Sequence, residues 1–307
     1  MSLDFSDIRV LLIGDFMVDQ YVFCTSTRMS PEAPVPVLNP DKIYSSPGGA
    51  GNVALNLSDL GANVTCVGCI GSDSEGIELT KLLEEKGINT DLLYITGIPT
   101  TLKRRYYSNG NQVLRVDFEK EIEGWSPSIT DIKYDNYDLI ILSDYNKGVL
   151  NNGWFSNIKG KNIFVDPKKD DFSFYSNATV ITPNINELQR ASNSKITDDD
   201  SIIKACQLMI QKDSNLEYIL AKKGDKGMTI VGKNGFVKHI DAHKVNNPDV
   251  TGAGDTVIAA FSLAFAKTNN VEDSARIANA AGAIVVGKTG TATVTIDEIN
   301  NYIEIRK

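Results

Sequence analysis

The chain has 307 residues, 42% hydrophobic and 23% charged, with 24 Gly and 10 Pro. These proportions exclude disordered, collagen-like and disulfide-scaffold classes, and the length suffices for one large α/β domain with a sizeable core. Lys and Arg number 31 against 39 Asp and Glu, a net charge of −8. That balance argues against nucleic acid as the main partner, yet a local cationic pocket can still sit on an acidic protein. The opening MSLDFSDIRVLLIGD has no basic region ahead of its short apolar run. No apolar stretch approaches the ~20 residues of a spanning helix. Cys24, Cys66, Cys69 and Cys206 are too few for a disulfide framework. The chain is expected to be cytoplasmic, with no membrane partner.

In chain order, the apolar run 10–13 ending at Gly14-Asp15 predicts a parallel strand buried on both faces. Residues 17–47 hold Pro31, Pro34, Pro36, Pro40 and Pro47 among extended apolar residues. After Gly48-Gly49, Val53, Leu57 and Leu60 recur at helical spacing until Gly61. Residues 64–70 predict a strand and 74–86 a helix closed by Gly87. The segment 100–118 holds two strand-like runs around Asn109-Gly110, a strong hairpin signal. Further strands are expected at 139–142, 163–165, 180–181, 218–220 and 229–231. Helices are expected at 184–191, 198–212, 253–267 and 271–286, the second capped at Thr197 with acidic residues following. This alternation predicts a mainly parallel sheet covered by helices on both faces. Residues 17–47 and 100–118 break it and are expected to form a small projecting β lid on a single domain, 1–307.

The sharpest local signal is Asp249-Val-Thr-Gly-Ala-Gly-Asp255, directly ahead of the apolar run TVIAAFSLAFA. Its glycines permit a tight turn whose amide N–H groups open a helix, an arrangement that binds anions and stabilises a transferring phosphoryl group. Asp255 would stand where a carboxylate accepts a proton from an attacking hydroxyl. The bland alternative is an ordinary turn with an acidic residue in the first helical turn. Asp15 and Asp19 follow the first strand, where ligands of open α/β sheets sit, and can accept from sugar hydroxyls. Lys103 and Arg105 share one face of a strand. They read either as a solvated face or as a cationic clamp for a substrate phosphate.

Other matches carry no chemistry. Gly282-Ala-Ile-Val-Val-Gly287-Lys288-Thr289 fits the P-loop string but lacks the strand, open loop and following helix. Cys66 and Cys69 have metal-site spacing, but in a strand they point to opposite faces and read as core. His239 and His243 fall at a strand end, which argues against a histidine-based site.

Together, GDFMVD (14–19), PGGAGN (47–52), LGANVTCVGCIGSD (60–73), TPNINE (182–187), KKGDKGM (222–228) and DVTGAGDT (249–256) resemble the ribokinase-like PfkB family of carbohydrate kinases. The resemblance covers 10–295. TRMSPEAPVPV (27–37), KRR (103–105) with NQVLRVDFE (111–119), SDYNKGVL (143–150) and DPK (166–168) are similar to one subgroup. That subgroup is the D-glycero-D-manno-heptose-7-phosphate kinases of lipopolysaccharide precursor synthesis. A nucleotidyltransferase domain follows the kinase in many of those proteins and is expected to be absent here.

The resemblance implies transfer of phosphate from ATP, with Mg²⁺, to the C1 hydroxyl of heptose 7-phosphate, giving a 1,7-bisphosphate. Under it, Asp255 is the base and Gly252, Ala253 and Gly254 form the anion hole. Asp19, Gly48, Gly49, Asn52, Lys103, Arg105 and Asp144 are implied to hold the sugar phosphate. Asn184 and Glu187 would organise Mg²⁺ and phosphate through water, Gly224, Gly227 and Asn279 would lie on the nucleotide side, and Asp249 with Thr251 would form a K⁺ loop. A homodimer through the lid strands is also implied. Two departures stand out: Lys222 replaces the family's usual Thr, and Asn246-Asn-Pro248 replaces an apolar run. The alternatives are a related kinase for another sugar phosphate, sugar or nucleoside, or a non-catalytic sensor; the intact Gly252–Asp255 run argues against the sensor.

Overall fold

Strand β1 (Arg9–Gly14) is apolar from Val10 to Ile13 because both of its faces are covered. Val10 and Leu12 enter one hydrophobic core, Leu11 and Ile13 the other. β8 (Leu139–Ser143) repeats the pattern, with Leu139 and Ile141 in the first core and Ile140 and Leu142 in the second. This is the period of two that places alternate side chains across a sheet. A computed structural model describes residues 3–127, 132–151, 153–158, 162–246, 248–288 and 290–305.

Among the described residues, the main sheet has nine strands. Its order is β13 (Val237–Ile240), β12 (Met228–Gly232), β11 (Tyr218–Lys222), β10 (Val180–Ile181), β9 (Asn162–Asp166), β8, β1, β4 (Asn63–Gly71) and β5 (Asn89–Thr96). Pairing is parallel from β11 to β5, while β12 and β13 join antiparallel at one edge. Helices α1 (Ala50–Asp59), α2 (Ser74–Glu84), α5 (Ala253–Thr268), α6 (Val271–Val285) and α7 (Ile296–Ile305) cover the first face. Helices α3 (Ile185–Ser192) and α4 (Asp199–Lys212) cover the second. This is the mainly parallel α/β architecture expected from the sequence.

The proline-rich segment and the hairpin come together in a second sheet. Its order is β3 (Asn39–Gly49), β2 (Phe16–Thr25), β6 (Thr101–Ser108) and β7 (Asn111–Phe118). β2 and β6 are parallel, and the flanking pairs are antiparallel. Asn109 (φ 51°) and Gly110 (φ 77°) make the two-residue turn, since a hairpin turn of this kind needs positive φ at both positions. Thr100 ties the sheet to the main body: its amide and hydroxyl both donate to Asp73, the N-cap of α2.

Several details differ from expectation. β5 and α7 are absent from the sequence expectation, and β13 enters it only as a strand end at His239. β5 is an edge strand of mixed polarity, with Ile95 70% exposed, so it lacks the continuous apolar signal of the central strands. The N-cap of α4 is Asp198 rather than Thr197, because Asp198 exchanges hydrogen bonds with Ser201 in a capping box. Gly282 lies within α6 and Gly287 just beyond it, while Thr289 and Asn247 lie outside the described residues. Cys66 faces the first core and Cys69 the second, and all four cysteines are buried. His239 lies in β13, where Thr229 Oγ1 is 2.9 Å from its Nδ1.

Candidate active site

The carboxyl ends of the parallel strands converge on one place, as open α/β sheets require of a ligand site. Asp15 follows β1, Asp144 and Tyr145 follow β8, Asp166 ends β9, Asn184 follows β10 and Lys222 ends β11. The N-termini of α1 and α5 face these ends. Gly252 is the N-cap of α5 and takes φ 77°, a conformation that glycine adopts without a Cβ penalty. A Cβ there would lie 2.5 Å from Asn52 Nδ2, so the turn needs glycine for space as well as for φ.

Asp255, in the first turn of α5, is buried and doubly hydrogen-bonded. Asn52 Nδ2 donates to its Oδ2 at 2.7 Å, and the Tyr145 hydroxyl donates to its Oδ1 at 2.6 Å. Burial pushes its carboxyl up to about 7; the Tyr145 and Asn52 donors and Lys222 oppose that rise, and Asp166 adds to it. A carboxylate poised near neutrality is well matched to accepting a proton from a hydroxyl. One residue on, Thr256 Oγ1 donates to Asn56 Oδ1 at 2.9 Å, and Asn56 donates back to the Asn52 carbonyl. Asn52 and Asn56 thus lock α1 against α5 along one helical face.

Lys222 and Asp166 form a half-buried ion pair at 2.6 Å, and Thr182 also donates to Asp166 Oδ1. A Cβ added to Gly254 would sit 3.2 Å from Lys222 Nζ, so this cation lies against the Gly252–Gly254 turn. The departure from the usual Thr therefore brings the Lys222 side chain to the N-terminal turn of α5. Across the site, Asn184 caps α3 in a capping box with Glu187, whose Oε1 is 3.5 Å from Lys168 Nζ. The alternating N–H and carboxylate bonds of that box occupy Glu187 Oε2 and leave Oε1 facing a cation. Among the described residues, no group of three or more His, Cys, Asp or Glu is placed to hold a metal. Glu187 is 6% exposed and is the buried carboxylate on this side of the site.

The second sheet closes the other side. Asp19 is buried against Gly48, where a Cβ would approach Asp19 Oδ2 to 2.4 Å, and Gly49 caps α1 at φ 56°. Arg105 Nη1 reaches Asp19 Oδ1 at 2.6 Å, and its guanidinium lies 5.4 Å from the centre of the Tyr21 ring. Lys103 enters no ion pair among the described residues; its ammonium lies 5.5 Å from the centre of the Tyr145 ring. Burial lowers its pKa, with Lys147 and Arg115 adding to that and Asp19 opposing it. The two cations expected as a clamp thus share a face but differ: one is neutralised, the other is not.

The remaining expected residues are tied into the fold. Asp144 accepts from the Tyr175 hydroxyl and the Asn146 amide, and its neighbour Tyr145 reaches Asp255. Asp15 accepts three backbone amides, from Tyr145, Lys147 and Val149 at 2.9–3.1 Å, and so fixes the loop after β8. Asp249 accepts from the Thr251 and Gly290 amides, which hold its pKa down against burial. Gly227 (φ 85°) packs against the Ile240 carbonyl, and Asn279 donates to the neighbouring Asp241 carbonyl. Gly224 (φ 63°) opens a short 3₁₀ turn with free space where a side chain would be. Gly224, Gly227 and Asn279 line the β11–β13 side of the molecule.

The model of pfkB family carbohydrate kinases matches residues 7–298. The chain belongs to that family. The chain is 39% identical over 303 residues to the bifunctional protein HldE of Coxiella burnetii, and 40% identical over 321 residues to that of Granulibacter bethesdensis. These alignments cover 96% and 98% of this chain but 63% and 66% of those proteins. Among solved structures, the ribokinase of Thermotoga maritima superposes with a TM-score of 0.76 at 20% identity, covering 97% of this chain and 99% of that one. Arabidopsis thaliana ribokinase, solved with ribose and ATP, gives 0.77 at 19%, covering 97% and 99%. These structures share the ribokinase-like fold.

As a PfkB carbohydrate kinase the chain is an ATP-dependent sugar kinase. Four residues at the site were not assigned from sequence: Tyr145, Asp166, Lys168 and Lys222. Each stands in a quoted motif, in SDYNKGVL, DPK and KKGDKGM. Which side chain of each segment turns toward Asp255 depends on strand register, which the motifs do not encode.

Proposed function

We propose that this kinase transfers the γ-phosphoryl group of ATP to the C1 hydroxyl of D-glycero-D-manno-heptose 7-phosphate, giving the 1,7-bisphosphate. In this reading Asp255 accepts the proton of the attacking hydroxyl. The amides of the Gly252–Gly254 turn, with the α5 dipole, stabilise charge on the transferring group. Lys222 and Lys168 add cations on the donor side. Mg²⁺ bound with ATP supplies further neutralisation, held through water near Asn184 and Glu187, and Asp249 with Thr251 serves a K⁺ loop.

The observation that carries the substrate class is Lys103. A hexose kinase needs no cation at the far end of its sugar, whereas a sugar-phosphate kinase must hold a dianion there. Lys103 is half-buried, free of carboxylate partners among the described residues, and stacked over the ring that touches Asp255. Arg105 and Asp19 would orient hydroxyls beside it, with Gly48, Gly49 and Asn52 letting the sugar approach the backbone. The four-stranded sheet then acts as a lid, and its exposed Phe23, Ile43, Tyr44, Leu114 and Phe118 favour pairing with a second copy.

Assaying the purified protein with Mg-ATP against heptose 7-phosphate, free heptose and other sugar phosphates tests this reading. Preference for heptose 7-phosphate is expected. A better turnover of another sugar phosphate would move the assignment within the family, and no turnover of any sugar would favour a sensor.

A further inference from the structure

Tyr145 connects the two halves of the site. Its backbone amide is fixed by Asp15, its ring lies beneath the Lys103 ammonium, and its hydroxyl donates to Asp255 at 2.6 Å. Asn52 donates to the other carboxylate oxygen, so each oxygen has one fixed donor and a lone pair left for a substrate hydroxyl. Two donors on opposite oxygens also stop the carboxylate from rotating. We propose that Tyr145 is a positioning residue for phosphoryl transfer: its phenol sets the orientation of Asp255 and favours the ionised carboxylate that takes the acceptor's proton. This rests on the reading of Asp255 as the base.

Three charged or titratable groups and one neutral donor face Asp255. Tyr145 reaches it from the loop after β8, Asp166 from β9 and Lys222 from β11, while Asn52 is the neutral donor from α1. Burial and Asp166 favour the protonated acid; Tyr145, Asn52 and Lys222 favour the carboxylate. Burial, followed by Asp255 and Asp166, raises the pKa of Tyr145 itself well above its ordinary value. The phenol is therefore a donor throughout the working range, and no proton passes through it. Its loss would leave burial and Asp166 opposed by two groups instead of three.

The experiment is the pH dependence of kcat/KM for the sugar phosphate in wild type, Tyr145→Phe and Asp255→Asn. Phenylalanine keeps the ring under Lys103 and removes only the donor. Its acid limb is expected to move up by about one pH unit, the worth of one hydrogen bond to a charged group. KM for ATP should stay within about twofold, and the rate should recover toward wild type above the shifted limb. Site-specific 3-fluorotyrosine at 145 has a more acidic phenol, a stronger donor, and should move the limb down. It also serves if the phenylalanine variant does not fold. Limbs that stay in place, with the rate lowered equally at every pH, would overturn the proposal while an inactive Asp255→Asn kept the base assignment. An active Asp255→Asn would overturn both.

Discussion

Asn52 and Asp255 stand 203 residues apart in sequence and 2.7 Å apart in the fold. The bond joins the glycine-led start of α1, which borders the second sheet, to the glycine-led start of α5. Any group held by one helix start is thereby placed against the other. With Asn56, one turn further along α1, bonded to Thr256, the next residue of α5, the candidate base is set by helix packing rather than by a mobile loop.

Asp255→Asn should fold normally and lose turnover by roughly 10²-fold or more, the usual worth of a general base. Its stability carries a second, signed expectation. The native carboxyl titrates at about 7, above its ordinary 3.8, so the folded state binds this proton more tightly than the unfolded chain. The stability it contributes is fully present below pH 4 and is lost as pH rises toward 7. Asparagine avoids that loss: its carbonyl can accept from Asn52 and its amide can donate to the Tyr145 oxygen. At pH 8 the variant should exceed wild type by about 1–4 kcal/mol in chemical denaturation, with the gap closing toward pH 4. A wild type more stable at pH 8 would contradict the burial argument.

Gly252→Ala should cost both stability and rate. The left-handed backbone alone is worth about 1–2 kcal/mol against a non-glycine residue. The added methyl must also displace Asn52 from Asp255, since it would sit 2.5 Å from that donor. A drop in Tm together with at least a roughly tenfold loss in kcat is expected. Retention of full kcat would show that Asn52 does not set the base.

Lys103 and Arg105 should behave differently on replacement by Ala. Lys103→Ala should raise KM for a phosphorylated sugar strongly, leave KM for ATP little changed and hardly alter Tm, because no native ion pair is broken. Arg105→Ala leaves Asp19 unpaired at a site where the two side chains are 12% and 8% exposed. Breaking such a pair costs on the order of 3 kcal/mol, so Tm should fall along with substrate affinity. Equal thermal behaviour of the two variants would refute this distinction.

EDTA should abolish activity and leave the melting curve unchanged, because a metal that arrives with the nucleotide contributes no resident ligand shell to the fold. A large drop in Tm on chelation would require a structural metal, for which no group of three or more His, Cys, Asp or Glu is placed among the described residues.

The central strands were legible because residues such as Leu11 and Leu12 are apolar in succession, which only a doubly covered strand tolerates. The start of α5 was legible because glycine spacing announces a turn that needs positive φ. The roles of individual carboxylates were not. Asp15, Asp19 and Asp144 look alike in sequence, yet Asp15 gathers backbone amides, Asp19 meets an arginine and Asp144 meets a buried tyrosine. Which partner each finds depends on the register of β1 against β8 and of β2 against β6, long-range pairings that no local pattern encodes. Lys222 read as a mere departure from the family pattern, because its partner Asp166 lies 56 residues away on another strand.

The most direct test is phosphoryl transfer from Mg-ATP to D-glycero-D-manno-heptose 7-phosphate compared with unphosphorylated heptose, with the product's phosphate positions read by ³¹P NMR. The account predicts a 1,7-bisphosphate from the phosphorylated sugar and a kcat/KM at least about tenfold lower for the free sugar, the loss expected when a half-buried cation meets no phosphate. Equal kcat/KM for the two sugars, or phosphorylation at a position other than C1, would contradict it.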